Sequence, residues 1–435
     1  MQTLQQLISG ELKGTKVLKL SCGLTSFPQT IFELADTLEI LDLSGNSLSE
    51  LPSNFFELKK IKIVFFSENK FIEFPEVLSK CENLTMIGFK SNQIQTISET
   101  AFPKTLRWLI LTNNQIEKLP NSIGDCKHLQ KVALAGNKLT DLPSKMAQCE
   151  NIELLRISAN KIITLPDWLL TMPKLAWLAY SGNPCCESQT KKKSIQEINW
   201  NEFSINEKLG EGASGIIYKA NWNSVHSSHK IVAIKLFKGD VTSDGYPEDE
   251  INTCLSIGYQ KNLVKVIGKL KNHPAQSSGL VFELIPPNYF NLGNPPNFET
   301  CTRDTFSKKY TFYHILIILK NIANACYHLH SKGIMHGDLY AHNILIDEQG
   351  NTILGDFGAA SIYDLKNNQT EKFELLDVRA YGYLIDDLLL NLTESDQFLK
   401  SVNRLKKVQN DCLKNENLNR PNFSEIINEL NSITL

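Results

Sequence analysis

HGDLYAHNILIDEQGNTILGDFG (336–358) is the stretch from which the rest of the chain is read. Asn343 and Asp356 follow Asp338 by five and eighteen residues. Two carboxylates and an amide at these steps supply what phosphoryl transfer from a nucleotide–metal complex requires. One carboxylate faces the attacking hydroxyl. The other, with the amide oxygen, holds metal ions on the phosphates.

Two further pieces stand upstream in order: LGEGASGII (209–217) and VAIK (232–235). Gly210, Gly212 and Gly215 leave out side chains where a hairpin can lie on phosphates, so backbone amides can approach the oxygens. A lone Gly-x-Gly-x-x-Gly is a weak signal, but four ordered pieces are a strong one. On these residues the second half resembles the protein kinase family. The resemblance implies Asp338 as catalytic base, Asn343 and Asp356 as metal ligands, and ATP and Mg2+ as cofactors. It implies that Lys235 pairs the α- and β-phosphates and is held by a Glu on the next helix. Glu250 keeps the best distance to KNLVKVIG (261–268), and Glu248 is the alternative. Leu209 and Ala233 join the glycines and Lys235 in the expected ATP-binding set, with Ile217 as an apolar roof over adenine. GLVFELIPP (279–287) looks like the strand into the hinge, with Phe282 at the back of the pocket and Glu283 and Ile285 offering backbone groups to the base. His336 is expected to be structural, its ring beneath Phe357.

The chain departs from that family in places. Gly337 occupies the usual Arg position, which elsewhere clamps a phosphorylated loop. Tyr340 stands where serine/threonine kinases carry Lys, and His342 lies two residues on. DVRAYGYLIDDLL (377–389) matches the family helix that begins Asp-x-Trp-x-x-Gly, with only eighteen residues between it and Gly358, and no Ala-Pro-Glu intervenes. Arg420-Pro421 matches the Arg that pairs with the missing Glu, and Glu374 is the expected substitute. A site competent without phosphorylation follows, Ser361, Tyr363 and Thr370 being the hydroxyl residues of 359–376.

The first half repeats. Asn46, Asn69, Asn92, Asn114, Asn137, Asn160 and Asn183 recur in steps of 23, 23, 22, 23, 23 and 23, each inside L-x-x-L-x-L-x-x-N-x-L, as in LEILDLSGNSL (38–48). With Leu51-Pro52, Leu119-Pro120, Leu142-Pro143 and Leu165-Pro166 after the Asn turn, this resembles the leucine-rich repeat family. One unit cannot bury its apolar face alone, so neighbours stack, and a column of Asn side chains can bond adjacent backbone turns. Strand alternation puts Ile40, Ile63, Met86, Trp108, Lys131, Leu154 and Trp177 in one concave column. So apolar a stripe is expected to contact a protein partner, around Trp108 and Trp177, or the kinase domain itself.

Length suggests two or three domains. The expected boundaries are a repeat solenoid at 1–184, a linker at 185–202 and a kinase-like domain at 203–435. The fold class is an α/β leucine-rich repeat solenoid followed by an α+β two-lobed kinase-like domain. The net charge of −2 gives no general pull toward nucleic acid. Lys191-Lys192-Lys193 is read as a solvated linker face. Ten cysteines in so long a chain are not a disulfide scaffold, and Cys81, Cys126 and Cys149 are read as buried fillers of the repeats. MQTLQQLISGELKGTK has no secretory pattern, and no apolar run is long enough to span a bilayer. A cytoplasmic protein is expected, with a secreted effector in a host cytosol left open. The pairing of repeats with an HGDLYAHN loop resembles a bacterial group of soluble repeat–kinase proteins. The expected activity is an ATP- and Mg-dependent protein kinase, of serine/threonine type, with repeats that bind a partner or regulate it. A nucleotide-binding pseudokinase scaffold and a small-molecule kinase are the alternatives.

Overall fold

A computed structural model describes residues 2–189, 196–212, 214–223, 230–366, 370–393, 399–416 and 419–434. Lys191-Lys192-Lys193 lies outside them. The chain divides into two compact units, Met1–Lys174 with Asn183–Cys185, and Leu175–Gly182 with Cys186–Leu435. The division runs through the last repeat.

In the first unit a short helix, α1 (Leu4–Ile8), carries a capping box between Thr3 and Gln6. Seven three-residue strands follow: β1 (Val17–Lys19), β2 (Ile40–Asp42), β3 (Ile63–Phe65), β4 (Met86–Gly88), β5 (Trp108–Ile110), β6 (Lys131–Ala133) and β7 (Leu154–Arg156). They pair in parallel, one repeat to the next. The middle residue of each points inward and is fully buried, from Leu18 to Leu155. The Asn column ties the rungs. Asn69 Nδ2 donates to Leu43 O of the preceding turn at 2.9 Å, and Asn69 Oδ1 accepts from Leu48 N at 2.8 Å. Asn92, Asn114, Asn137 and Asn160 repeat the same pair of bonds.

The residue before every ladder Asn sits in the left-handed region: Gly45, Glu68, Ser91, Asn113, Gly136, Ala159 and Gly182 have φ between 53° and 71°. That conformation turns the Asn amide inward and costs an L-residue about 1–2 kcal/mol. Gly136→Ala is therefore expected to lower the unfolding free energy by about 1 kcal/mol in urea denaturation of the full chain. A loss under about 0.3 kcal/mol would show that the turn relaxes around the new side chain.

Cys81, Cys126 and Cys149 are buried and free, and burial pushes their thiols up to about 12, 12 and 11. Cys126 and Cys149 donate to carbonyls of the preceding repeat. In the concave column Ile63, Met86 and Leu154 are buried. Trp108 is half-buried, with Lys131 Nζ 4.2 Å over its ring.

The second unit takes in β8 (Trp177–Ala179) and then β9 (Glu197–Asn199). The strands β10 (Phe203–Glu211), β11 (Gly215–Trp222) and β12 (Lys230–Phe237) come next. They are followed by α2 (Pro247–Ile257), β13 (Val266–Lys271) and β14 (Gly279–Glu283). Six of these strands form one sheet in the order β10-β11-β12-β14-β13-β9, antiparallel except for β9 on the β13 edge. Val232, Ile234, Leu270 and Val281 make its core. Pro247 starts α2, and three carboxylates in the first turn suit the positive end of the helix.

After β15 (Phe290–Asn291) the rest is mostly helical. α3 (Phe312–Ser331) is capped by Thr311 and packs against α4 (Thr370–Leu390) and α6 (Phe423–Asn431), with α5 (Leu399–Cys412) against α4. Short strands link α3 to α4: β16 (Ile334–Met335), β17 (Ile344–Ile346), β18 (Thr352–Leu354) and β19 (Ser361–Ile362). Among the described residues no helix is long and apolar enough to cross a membrane.

Candidate active site

The hairpin β17–β18 explains how residues thirteen apart meet. Ile344 pairs with Leu354 and Ile346 with Thr352, around a turn that Asp347 holds by accepting from Gln349 N and Asn351 N. Asn343 precedes one strand and Asp356 follows the other, and Gly355 N donates to Asn343 O at 3.0 Å. Asn343 Nδ2 donates to Asp338 Oδ2 and to Asp338 O, both at 2.9 Å. The donors of that amide are thus spent on Asp338, which leaves its oxygen as the atom able to ligate a cation. Asp356 is exposed and has φ 54°, a strained conformation for a non-glycine residue.

Lys235 on β12 bonds Glu250 on α2, Nζ to Oε1 at 2.5 Å, and both are buried. Burial works against the Lys235 charge, but Glu250 and Asp356 outweigh it and hold its pKa above the ordinary value. Glu248 is engaged elsewhere, with Lys269 at 2.6 Å. Ile217 pairs with Lys235 across β11–β12, and Ala233 with Phe282 across β12–β14. Leu209 and Ile217 present exposed apolar side chains. Glu283 N donates to Lys265 O, so the group it has left for a base is its carbonyl. Among the described residues no bond to Ile285 N–H is found.

The three glycines differ. A Cβ on Gly210 or Gly212 would meet nothing within 4 Å, so their open side is free for a ligand. A Cβ on Gly215 would lie 2.5 Å from Leu236 O, so that glycine is required by strand packing rather than by close approach of phosphates.

The loop that carries Asp338 hangs from α4. Asp377 is fully buried and accepts from His336 N at 2.8 Å, Gly337 N at 3.0 Å and His330 Nε2 at 3.0 Å. The His336 ring packs on Phe357 and its Nε2 lies 3.1 Å from Gly355 O. Gly337 has φ 68°, and a Cβ there would overlap Leu178 O. Asp304 was not legible in the sequence. Its carboxylate accepts from His342 N and bonds His342 Nδ1, both at 2.8 Å. Burial lowers the His342 pKa, but Asp304 outweighs it and holds it above the ordinary value.

The pairing expected between Glu374 and Arg420 is not what the bonds describe. Glu374 accepts from Tyr363 Oη at 3.0 Å. Arg420 donates to Leu375 O at 2.7 Å and Lys414 O at 2.8 Å, so carbonyls hold it in the buried site. α4 starts at Thr370, which puts Glu374 on a helix rather than in a loop. Ser361 and Tyr363 are buried, and the side chain of Thr370 lies outside the described residues. Trp177, expected to contact either a protein partner or the kinase domain itself, is 1% exposed and stacks within the second unit on Tyr340.

Residues 203–381 match the family of protein kinase domains, and residues 37–58 and 82–139 match leucine rich repeats. The chain is 24% identical over 277 residues to a probable serine/threonine-protein kinase of Dictyostelium discoideum, covering 54% of this chain and 28% of that one. It is 31% identical over 171 residues to a putative L-type lectin-domain containing receptor kinase of Arabidopsis thaliana, covering 37% and 30%. A putative serine/threonine-protein kinase/receptor of Acanthamoeba polyphaga mimivirus is 25% identical over 208 residues, 47% of this chain and 12% of that protein. The chain spans about a third or less of the length of the curated relatives it matches.

Proposed function

Because the chain joins leucine-rich repeats to a protein kinase domain, we propose that it is an ATP- and Mg2+-dependent serine/threonine protein kinase whose repeats bind a protein partner or regulate the kinase. The observation that carries this reading is the joint presence of the Lys235–Glu250 ion pair and the Asp338–Asn343 bonds beside Asp356. A scaffold without transfer has no need of all five. The names of the relatives supply the serine/threonine assignment.

Asp338 would orient the acceptor hydroxyl and take its proton, held in register by Asn343 Nδ2. Lys235 would pair the α- and β-phosphates, Leu209, Ile217 and Ala233 would enclose adenine, and Glu283 O and Ile285 N would bond its edge. Asn343 and Asp356 offer one amide and one carboxylate oxygen. Among the described residues there is no cluster of three or more His, Cys, Asp or Glu able to hold a metal alone. That donor set suits Mg2+, which takes few protein oxygens and completes its shell with phosphates and water. When bound, the metal neutralises charge on the phosphates. The HGDLYAHN loop supports the bacterial-type group, and ten cysteines that form no disulfide among the described residues suit a reducing, cytosolic compartment.

Incubation with labelled ATP, Mg2+ and generic serine/threonine peptides is expected to label the peptides, while small alcohols stay unlabelled. Mg-ATP at about 100 times its dissociation constant is expected to stabilise the protein by roughly 2.7 kcal/mol, read as a rise in melting temperature. An unchanged melting temperature would sink the reading. Label entering only small alcohols would favour a small-molecule kinase, the reading that the short connection between Gly358 and α4 supports.

A further inference from the structure

Gly337 and Tyr340 share one neighbour, the segment Leu175–Gly182. Leu178 O fills the space a Gly337 side chain would need. Trp177 Nε1 donates to Leu339 O at 3.1 Å, a bond to the loop that carries Asp338. The indole lies on Tyr340 at 4.2 Å and 10°, and on Tyr383 of α4 at 5.3 Å and 22°. Tyr180 stacks on Phe373 at 5.3 Å, and Phe373 on Tyr363 at 5.7 Å. Gly182 lies under α2, where a Cβ would come within 2.5 Å of Asp249 Oδ2 and 2.7 Å of the Tyr246 ring. Eight residues thus touch the loop of Asp338, the segment after Gly358 through Phe373, and the helix that carries Glu250.

We infer that Leu175–Gly182 is a built-in brace for the catalytic loop and that Trp177 is its positioning residue, doing in cis and permanently what a clamped, phosphorylated loop does in other kinases. The inference rests on the kinase reading above. The loop has two supports of different kind. Asp377 fixes the amides of His336 and Gly337 from one side. Trp177 fixes the carbonyl of Leu339 and the ring of Tyr340 from the other. Asp338 lies between these two anchors, so its carboxylate direction depends on both. The brace also accounts for the glycine. With Leu178 O in place no larger residue fits at 337, so an Arg clamp and this segment exclude each other. Ser361 and Tyr363 are buried under the same arrangement, which leaves them out of reach of a modifying enzyme.

The test uses full-length Trp177→Ala and Trp177→Phe. Because Lys235, Glu250 and the glycines are untouched, Trp177→Ala is expected to lower kcat about tenfold or more while KM for ATP changes less than about twofold. Trp177→Phe keeps a ring on Tyr340 and loses only the N–H bond, so it is expected to recover most of kcat. This rescue keeps the test open if the alanine variant folds poorly. Amide exchange of 336–341 is expected to quicken in Trp177→Ala and to stay unchanged in 230–237. Equal kcat and equal exchange in all three proteins would overturn the brace. So would a rise in kcat, which would make the segment an obstruction. If wild type binds Mg-ATP but labels nothing, the kinase reading fails. The exchange comparison then decides the brace by itself, with unchanged protection of 336–341 overturning it.

Discussion

Asp338→Asn is expected to abolish most phosphotransfer, by about 10²–10⁴-fold, while ATP affinity stays within about twofold. The substitution keeps the shape of the side chain and an oxygen able to accept from Asn343 Nδ2, which donates to Asp338 at 2.9 Å. What it removes is the negative charge that, in the proposed function, would orient the acceptor hydroxyl and receive its proton. In the same reading Lys235 and the amides around Gly210 and Gly212 would take the phosphates, so binding is expected to be spared. Single-turnover label transfer and equilibrium ATP titration of the same preparations separate the two effects. Equal transfer by mutant and wild type would move the activity away from this site.

Asp377→Ala has the largest expected effect on stability, a loss of about 3 kcal/mol or more. Its two oxygens are the meeting point of His336 N, Gly337 N and His330 Nε2, with no exposure to water. Removing them leaves three donors in a site too buried for solvent to replace the acceptor, and each stranded donor costs about 1–3 kcal/mol. Asp377→Asn keeps one acceptor oxygen and is expected to lose about half as much. Urea denaturation followed by a probe in the second unit measures both. A loss under about 1 kcal/mol in the alanine variant would mean that the loop does not hang from α4.

Much of the fold is legible because it repeats. The Asn period forces stacked rungs, and the hydrogen bonds of Asn69 or Asn137 follow from burying an amide beside a turn. The left-handed residue before each Asn was not legible, because Gly, Glu, Ser, Asn and Ala all fill it and only φ unites them. In the candidate site, the spacing of Asn343 and Asp356 carries a signal because one hairpin brings them together, and Asp338 joins them through its bonds to Asn343. Counting favours Glu250 and keeps Glu248 as the alternative. In the structure they face opposite sides of the first turn of α2, toward Lys235 and toward Lys269. Glu374 was assigned to Arg420 by position in sequence, but the helix aims it at Tyr363. Gly337 and Tyr340 could be noticed as departures and not explained, because the residues packed on them, Leu178 and Trp177, lie about 160 residues earlier.

The bonds of the Asn column join only adjacent rungs, and that has a mechanical consequence. Among the described residues these bonds tie each rung only to the next, so tension applied at Thr3 loads one boundary at a time. Pulled from that end, the solenoid should peel in discrete steps. Each step frees one repeat of about 23 residues, or roughly 75–85 Å of extended chain. Under force the repeat region would act as a ratchet of small, equal, separately reversible releases.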